Sequence, residues 1–400
     1  MESVCIIGLG YVGLPLAELC LKKGYKVYGL EVDSSKIERI KNNFPNIILN
    51  DPKAIAKSDI AIICVPTPVD HNKKPDLSCV ISASKEVAKG LHKGMLVVME
   101  STVNPCVTEE DVQPILENTG LKAGADFDLA HCPERINPGD PKWHVGNIPR
   151  VIGATTKEGC RRAKAFYEGI LDAPVKEMSS IKAAEAVKIV ENSFRDVNIA
   201  FVNELAKSFT KFGIDITEVI EGAKTKPFSF LAHYPGCGVG GHCISVDPYY
   251  LIEKAMTLGF DHKLLKLARE INNSMPFHTV DLVVNALNEA GKSVKGSKIG
   301  ILGLAYKGGI EDLRESPALE IVEELKKRNA NLLIHEPYVP HLSNATAEEA
   351  INNTDIVVLL TSHPEFKDMD YSRAKIVIDG RNFLDKENIA KQTKYIGIGR

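Results

Sequence analysis

The chain of 400 residues is 44% hydrophobic and 25% charged, a composition typical of a globular protein with two or three domains. A net charge of -3 predicts no nucleic-acid or membrane partner, and no apolar run reaches the ~20 residues needed to span a bilayer. The nine cysteines are odd in number and scattered, and the first strand begins at Val4 with no room for a signal peptide, so we expect a reducing, cytoplasmic location.

A dinucleotide-binding unit is predicted at the start of the chain. The apolar strand 3–7 leads into Gly-Leu-Gly-Tyr-Val-Gly at 8–13, then a helix over 14–23 and a strand over 26–30. Glu31 closes that strand, about twenty residues after the glycines, where an acid binds a ribose hydroxyl. Because a carboxylate there repels a 2′-phosphate, NAD is favoured over NADP. The alternative is a tight turn followed by a surface glutamate.

Polar residues follow three later apolar segments of this first domain. Pro66 and Thr67 follow the strand 60–65, Thr102 lies just after the strand 95–99, and Glu134 follows the segment that begins at Ala130. Ligands of open α/β sheets bind at the carboxyl ends of strands. The alternative for Pro66 and Thr67 is a proline-stiffened loop. Thr102 or Glu134 alone would more often be a capping or surface residue than a catalytic one, but the repeated placement of polar residues after strands favours a site.

A long helix is predicted from Ile181 to Phe212, and a second from about Lys263 to Ala290. Lys188 and Asn192 lie four residues apart and therefore share a face of the first helix. The neighbouring residues are mostly alanine and valine, which predicts that this face is buried, whereas the alternative is a solvated polar face. Long helices between two α/β domains are typical of a dimer interface.

The stretch from Pro235 to Tyr250 combines four glycines with Cys237, Cys243 and Asp247. Asp247 followed by Pro248 predicts a helix N-cap with proline at the first helical position. Cys243 then precedes a helix N-terminus, where the dipole favours a thiolate nucleophile. Alternatives are a glycine turn, a packed thiol or half of a zinc site. No second ligand pair has suitable spacing, so no metal is predicted.

A second α/β domain is predicted near the end of the chain, from strands at 297–304, 331–335, 355–361 and 375–379. It lacks the three-glycine pattern. Tyr306, Lys307 and Arg314 follow its first strand and Arg381 its last, where basic side chains suit a diphosphate. Exposed salt bridges are the alternative for each. The predicted class is α/β: two Rossmann-like doubly wound domains, 1–180 and 291–400, joined by a central helical domain, 181–290.

Together these motifs resemble the UDP-glucose/GDP-mannose dehydrogenase superfamily over essentially the whole chain, with Gly-Gly-His-Cys and Val-Asp-Pro as the most specific segments. The resemblance implies oxidation of the C6 hydroxyl of a UDP-sugar to a carboxylate with two NAD+. Cys243 is expected to form a thiohemiacetal and then a thioester, Lys188 and Asn192 to stabilise oxyanions, and Asp247, Glu134 and Thr102 to handle protons and water.

The resemblance also implies binding positions. Those expected for the cofactor are Gly8, Gly10, Tyr11, Val12, Gly13, Glu31, Lys36, Pro66, Thr67, Thr102 and Arg314. Those expected for the substrate are Glu134, Arg135, Lys188, Asn192, Gly240, Gly241, Tyr306, Lys307 and Arg381.

Flanking residues indicate the branch of the superfamily. His242 and Val246 around Cys243 resemble the enzymes of UDP-N-acetylhexosamines, and the segments 225–228 and 134–139 resemble those using UDP-N-acetylglucosamine or its C4 epimer. UDP-N-acetylmannosamine and UDP-glucose dehydrogenases are the alternatives. Cys237 and Ser245 stand where relatives usually carry proline, which puts the stiffness of the loop in doubt and leaves open a redox role for Cys237.

Two further functions remain open from sequence. A β-hydroxyacid dehydrogenase also joins a Rossmann domain to a helix with Lys-x-x-x-Asn, but needs neither Cys243 nor the domain after about residue 295. A non-catalytic NAD-dependent sensor would use Cys237 and Cys243 as a redox pair. Steady production of two NADH per sugar would exclude both.

Overall fold

The computed structural model describes residues 2–70, 72–136 and 142–400. The described residues form two compact units, Met1–Glu191 with Tyr249–Asp261, and Asn192–Pro248 with His262–Arg400. Residues 137–139 of the segment 134–139, used above to assign the branch, lie outside the described residues.

The first unit is built on a mostly parallel sheet. Its strands are β1 Ser3–Ile7, β2 Lys26–Leu30, β3 Ile48–Leu49, β4 Ile60–Ile63, β5 Leu96–Met99, β6 Asp128–His131, β7 Arg150–Ala154 and β8 Val175–Glu177. Among the described residues they are ordered β3-β2-β1-β4-β5-β6-β7-β8, and only the β6–β7 pair is antiparallel. The reversal of strand order between β1 and β4 is the switch point at which Rossmann domains bind ligands.

Helices cover both faces of this sheet because successive strand residues point to opposite faces. Val4 and Ile6 of β1 belong to one hydrophobic cluster, and Cys5 and Ile7 to another. The helices are α1 Gly13–Lys22, α2 Ser34–Asn43, α3 Ser78–Gly90, α4 Gln113–Glu117 and α5 Lys157–Ile170, with a π-helical turn at Thr108–Val112.

The second unit contains a fully parallel sheet. Its strands are β9 Lys298–Leu302, β10 Asn331–His335, β11 Ile356–Leu359, β12 Ile376–Asp379 and β13 Lys394–Gly397. Their order in the described part of the chain is β10-β9-β11-β12-β13. The carboxyl ends of β9, β11 and β12 therefore share one edge. The predicted strands 60–65, 297–304 and 355–361 are longer than those observed, because the chain leaves the sheet for loops at these edges.

The remaining helices are α6 Ile181–Phe212, α7 Ile216–Lys224, α8 Asp247–Thr257, α9 Lys263–Glu289, α10 Pro317–Lys327 and α11 Ala347–Asn352. Helix α6 has the predicted bounds, and α9 ends one residue early. Two Rossmann-like sheets with helices between them in the sequence confirm the predicted fold class. In the described part of the chain, every helix is too short or too polar to cross a membrane.

Candidate active site

Three glycines shape the turn after β1, each for a different reason. Gly8 has a φ of +92°, and a Cβ there would lie 2.6 Å from the Cys64 carbonyl oxygen. A Cβ on Gly13 would lie 1.9 Å from the Gly8 carbonyl oxygen, so this glycine lets α1 pack against the turn. At Gly10 an added Cβ would meet no described atom within 4 Å. A phosphate can therefore approach the backbone there, at the start of α1.

Glu31 follows β2 and faces this turn. Its Oε2 accepts the Leu9 N–H at 3.0 Å, and its Oε1 accepts the Val32 and Asp33 N–H groups at 2.9 and 3.0 Å. A carboxylate offers about four acceptor positions, so one remains for a ribose hydroxyl. Its charge opposes a 2′-phosphate. The turn and this acid together fit NAD.

The other predicted cofactor residues of the first unit lie near strand ends. Tyr11 and Val12 precede α1, Lys36 lies in the first turn of α2, Pro66 and Thr67 follow β4, and Thr102 follows β5. The buried Tyr250 hydroxyl donates to the loop after β4, 2.9 Å from the Thr67 carbonyl oxygen and 3.2 Å from that of Pro68. This role of Tyr250 could not be predicted from the sequence, because a tyrosine by itself implies no particular hydrogen-bond partner.

Glu134 follows β6 and is buried, with 4% of its surface exposed. Its Oε1 accepts the N–H groups of Arg135 and Ile136, each at 2.6 Å, and its Oε2 accepts from Arg150 Nη2. The antiparallel pairing of His131 with Gly153 brings the loop after β6 close to the start of β7, where Arg150 lies. The carboxylate is thus fixed by two amides and one ion pair.

Glu100 is a second buried carboxylate beside the same arginine. Its Oε1 accepts the Tyr167 hydroxyl at 2.6 Å and lies 3.6 Å from Arg150 Nη1, and Cys64 Sγ donates to its Oε2 at 3.5 Å. Burial raises the pKa of Glu100 to about 7, against the lowering effect of Arg150. Neither Glu100 nor Arg150 was predicted to be a site residue. The sequence feature that could have identified Arg150 is a single cation at the first position of an otherwise apolar strand, β7.

Arg135 was predicted to bind substrate. In the structure it forms a two-pronged ion pair with Glu191, and its Nη1 donates to the Pro149 carbonyl oxygen at 2.8 Å. Its guanidinium is therefore largely engaged within the first unit. Substrate binding by Arg135 stays a prediction.

Lys188 and Asn192 are both buried on α6, 8% and 6% exposed, as the residues around them predicted. Lys188 belongs to the first unit and Asn192 to the second. Asn192 Nδ2 donates to Asp247 Oδ2 at 2.5 Å. Glu185 on the same helix accepts the Cys106 and Thr108 N–H groups at 2.6 and 2.9 Å, so it braces the loop after β5.

The glycine-rich loop, residues 235–246, is held by its own main chain. Three of its N–H groups donate to groups outside it: Gly236 to Asn203 Oδ1 at 3.0 Å, Cys237 to the Gly380 carbonyl oxygen at 2.7 Å, and Gly241 to the Arg314 carbonyl oxygen at 3.0 Å. Added Cβ atoms on Gly240 and Gly241 would lie 2.6 and 2.8 Å from the Tyr306 side chain. These glycines are therefore required for packing against Tyr306.

Cys243 and Asp247 lie at the end of this loop. The Cys243 carbonyl oxygen accepts the Val246 and Asp247 N–H groups at 3.0 and 2.8 Å, so the chain already turns helically before α8. Asp247 is the first residue of α8. The prediction that it precedes the helix as its N-cap is therefore wrong, because this preceding turn moves the cap upstream. Cys243 is half-buried.

Cys237 and Ser245, the two positions at which the stiffness of the loop was in doubt, are each held by a hydrogen bond. The Cys237 N–H bonds to Gly380, a bond that proline cannot make. The Ser245 hydroxyl donates to the Gly241 carbonyl oxygen. The Cys237 side chain lies in the core of the second α/β sheet, where burial raises its pKa. A packed thiol of raised pKa is poorly reactive, which argues against a redox role.

The predicted basic residues of the second unit lie at the shared strand edge. Arg381 Nε donates to the Leu360 carbonyl oxygen at 2.8 Å and Nη1 to that of Gly238 at 3.1 Å, so this arginine ties the glycine-rich loop to the sheet. Arg314 pairs with Asp312 through Nε and Nη2, at 2.9 and 2.6 Å. Lys307 is half-buried in the loop after β9. Their ligand contacts stay predictions.

Three family models match the chain in sequence order. They are the NAD binding domain (residues 2–54 and 47–171), the central domain (182–274) and the UDP binding domain (300–386) of the UDP-glucose/GDP-mannose dehydrogenase family. The chain is 36% identical to UDP-N-acetyl-D-mannosamine dehydrogenase from Pyrococcus horikoshii, over 99% of each chain. It is also 36% identical to UDP-N-acetyl-D-glucosamine 6-dehydrogenase from Pseudomonas aeruginosa, over 92% of each.

A solved structure of UDP-D-ManNAc dehydrogenase from Pyrococcus horikoshii matches with a TM-score of 0.92 and 35% identity, covering 100% of this chain and 99% of that one. The match runs through both α/β domains and the helices between them. The chain therefore belongs to the UDP-glucose/GDP-mannose dehydrogenase family, whose members are NAD-dependent oxidoreductases.

Proposed function

We propose that the protein oxidises the C6 hydroxyl of a UDP-N-acetylhexosamine to a carboxylate, using two NAD+. The observation that carries the proposal is the position of Cys243 near the end of the glycine-rich loop, just before Asp247, which accepts a hydrogen bond from Asn192. In the same chain, the turn after β1 fits a dinucleotide. The test is to measure NADH released per uronic acid formed. Two NADH per acid supports the proposal, and one or none contradicts it.

NAD+, when bound, would supply the hydride acceptor for both oxidations. Gly8, Gly10 and Gly13 would admit its pyrophosphate, and Glu31 would accept from a ribose hydroxyl. Thr102 and Thr67 follow neighbouring strands at the edge where Rossmann domains bind the nicotinamide half. The role of Arg314 toward the dinucleotide belongs to the same proposal.

In the first oxidation, a base takes the C6 hydroxyl proton as hydride leaves C6. Asp247 is the base we propose, because its carboxylate is buried and oriented by Asn192. The resulting aldehyde has no proton-bearing oxygen whose collapse could expel a second hydride. The Cys243 thiolate therefore adds to C6, the former carbonyl oxygen takes a proton, and a thiohemiacetal forms.

Loss of a second hydride from C6 and of the hydroxyl proton gives a thioester. Lys188 and Asn192 would stabilise the negative oxygen of each tetrahedral species, a term worth about 10²–10³ in rate per donor. Glu134, with Thr102, would take a proton from the attacking water. Hydrolysis then releases the acid and returns the thiol.

The sugar we propose is UDP-N-acetylglucosamine or its C4 epimer, because the sequence of residues 225–228 and 134–139 resembles that of enzymes using these sugars. UDP-N-acetylmannosamine is the first alternative, since a relative of that name is equally similar, and UDP-glucose is the second. Steady-state kcat/KM for these four UDP-sugars tests the choice. A kcat/KM for UDP-N-acetylmannosamine tenfold or more above the others would overturn it.

We propose three functional domains, 1–180 for NAD, 181–290 for catalysis and dimer formation, and 291–400 for the UDP-sugar. Val190, Phe194 and Phe201 line one face of α6 and are 57%, 49% and 55% exposed. Apolar side chains repeated along one helix face mark a protein interface, and a second copy of this chain is the proposed partner. We place the enzyme in the cytoplasm, because a catalytic thiol must stay reduced.

Sedimentation velocity tests the dimer. Wild-type protein should sediment as a dimer, and Phe201→Glu as a monomer, because a charge on the apolar face opposes its burial. Lys211→Glu, near the end of the same helix, is the control that should remain dimeric. A monomeric wild type contradicts the proposal.

The two competing functions make different demands on the chain. A β-hydroxyacid dehydrogenase releases one NADH per turnover and has no use for the UDP binding domain, and a sensor releases none in steady state. The match to that UDP binding domain at 300–386 favours the proposed function over both.

A further inference from the structure

Arg150 lies between two carboxylates in the interior of the first unit. It is 1% exposed, Glu100 is 1% exposed and Glu134 is 4% exposed. Nη2 pairs with Glu134 and Nη1 lies 3.6 Å from Glu100. Nη1 also donates to the Pro133 carbonyl oxygen at 3.4 Å. This bond holds the guanidinium beside the loop that carries Glu134.

The other face of this cluster is closed by Tyr167 on α5. Its hydroxyl donates to Glu100 at 2.6 Å, and its ring lies 5.9 Å from the Arg150 guanidinium carbon. Glu100 is therefore held between an arginine and a tyrosine, and it keeps the guanidinium from turning away from Glu134.

Burying a charged cluster of this kind in a core has a large cost in desolvation free energy. Buried ion pairs are often no more stabilising than apolar side chains of similar volume, because each charge loses its hydration. The elements packed around it add the buried thiols of Cys20, Cys64 and Cys132, whose pKa values are raised by burial. The cluster thus has one cation for two carboxylates.

We propose that Arg150 is a positioning residue for Glu134, and that Glu100 and Tyr167 hold its guanidinium in place from behind. The inference rests on the proposed function, in which Glu134 activates water for thioester hydrolysis. Two amide N–H groups fix Oε1 of Glu134, and Arg150 fixes Oε2. A carboxylate held at both oxygens presents one defined lone-pair direction to the attacking water.

The test is a double-mutant cycle on thioester hydrolysis, measured as the decay of the Cys243 adduct in single-turnover experiments with UDP-N-acetylglucosamine and NAD+. Arg150→Lys keeps the positive charge but loses the second guanidinium nitrogen, so one group can no longer face both carboxylates. It should slow hydrolysis by roughly 10²-fold, the scale of a small misplacement of a catalytic group. It should leave substrate KM within about threefold. Placed on Glu134→Gln, the same change should have no further effect.

Two matched variants complete the cycle. Arg162→Lys, in an arginine–carboxylate pair of the same unit with Asp128, should leave hydrolysis unchanged. Glu100→Gln keeps the side-chain size and removes the charge behind Arg150, and it should slow hydrolysis roughly tenfold, again only while Glu134 is present. Glu100→Gln keeps the proposal testable if Arg150→Lys does not fold.

The comparison of the two backgrounds decides the positioning role. Equal losses in the wild-type and Glu134→Gln backgrounds, or a substrate KM that rises as much as hydrolysis slows, would overturn the positioning role and leave the proposed function standing. Full hydrolysis by Glu134→Gln would overturn both.

Discussion

The two Rossmann-like domains place a glutamate at equivalent points and use it differently. Glu31 follows β2 and Glu336 follows β10, each strand being the neighbour of the first strand of its sheet. Glu31 is half-buried and bonds one N–H of the glycine turn. Glu336 is fully buried, and its Oε2 accepts the Leu304 and Ala305 N–H groups at 2.6 and 3.0 Å.

His363 is a further hydrogen-bond partner of Glu336, in addition to the Leu304 and Ala305 N–H groups. Gly309 N–H donates to its Nδ1 at 3.1 Å, so Nε2 carries the proton and donates to Glu336 at 3.1 Å. Tyr338 stacks on the imidazole with ring centroids 4.7 Å apart. The acid that is proposed to bind a ribose in the first domain therefore has a counterpart in the second domain that only bonds to protein groups. One architecture supports ligand binding or stability according to what surrounds a single carboxylate.

The largest effect should come from removing the brace. Glu336→Leu leaves buried N–H groups and an imidazole without their acceptor, which should cost about 3–5 kcal/mol in the free energy of unfolding. Glu31→Leu should cost about 1 kcal/mol, because water can replace a half-exposed acceptor. Urea unfolding of both variants measures this. Equal losses would show that the two glutamates have the same role.

The stability provided by Glu336 should depend on pH. Burial alone would raise its pKa, but the bonds from His363 and the Leu304 N–H outweigh burial and lower it to about 2. Since the folded pKa is below the unfolded one, the stabilisation is present above about pH 5 and lost as pH falls toward 2, amounting to roughly 3 kcal/mol. The unfolding free energy of wild type minus that of Glu336→Leu should shrink over this range. A constant difference contradicts the assignment.

Cofactor choice should change at Glu31 and not at Glu336. The wild type should prefer NAD+ over NADP+, because the carboxylate accepts from ribose hydroxyls and repels a phosphate. Glu31→Ser should lower kcat/KM for NAD+ by roughly 10–100-fold, the cost of a charge-assisted hydrogen bond. It should therefore also lower the ratio of kcat/KM for NAD+ to kcat/KM for NADP+. Equal kcat/KM for the two cofactors in the wild type would contradict the role of Glu31.

A smaller effect is expected at the ligand edge of the second domain. If Arg381 binds the diphosphate, Arg381→Lys should raise the KM for the UDP-sugar by up to about tenfold, because the charge remains and the fork is lost. The kcat should stay within about twofold. Arg328→Lys, paired with Glu324 on the surface of the same domain, is the control. An unchanged KM would show that Arg381 serves only to hold the glycine-rich loop.

The fold was largely predictable because its signals are local. Glycines between a strand and a helix, followed by Glu31, define the first domain, and β10 and α6 have the predicted bounds. The short strands β7, β8 and β13 were missed because segments of three to five residues that mix apolar and polar side chains give no clear period. The start of α8 was predicted one residue too late, because a helical turn without a capping signal precedes Asp247.

The candidate reacting groups could be proposed from the sequence, whereas the residues that support them could not. Cys243, Lys188 and Asn192 belong to short motifs, so residue type and spacing identify them. Arg150 and Glu100 are fifty residues apart and meet only through the antiparallel pairing of β6 with β7 and the β5 loop. Glu336 and His363 meet in the same way, through long-range strand order. No local pattern encodes such contacts.

The proposed mechanism depends most on Cys243, which is proposed to form the covalent intermediate of the second oxidation. The most direct measurement is intact-protein mass spectrometry with product quantification after mixing UDP-N-acetylglucosamine and NAD+ with Glu134→Gln, Cys243→Ser and Cys237→Ser. Glu134→Gln should accumulate a sugar adduct on Cys243, and Cys243→Ser should form no uronic acid. Cys237→Ser, changed at the packed thiol, should turn over within a few-fold of wild type. Uronic acid from Cys243→Ser at near the wild-type rate, with no adduct on Glu134→Gln, would contradict the covalent mechanism.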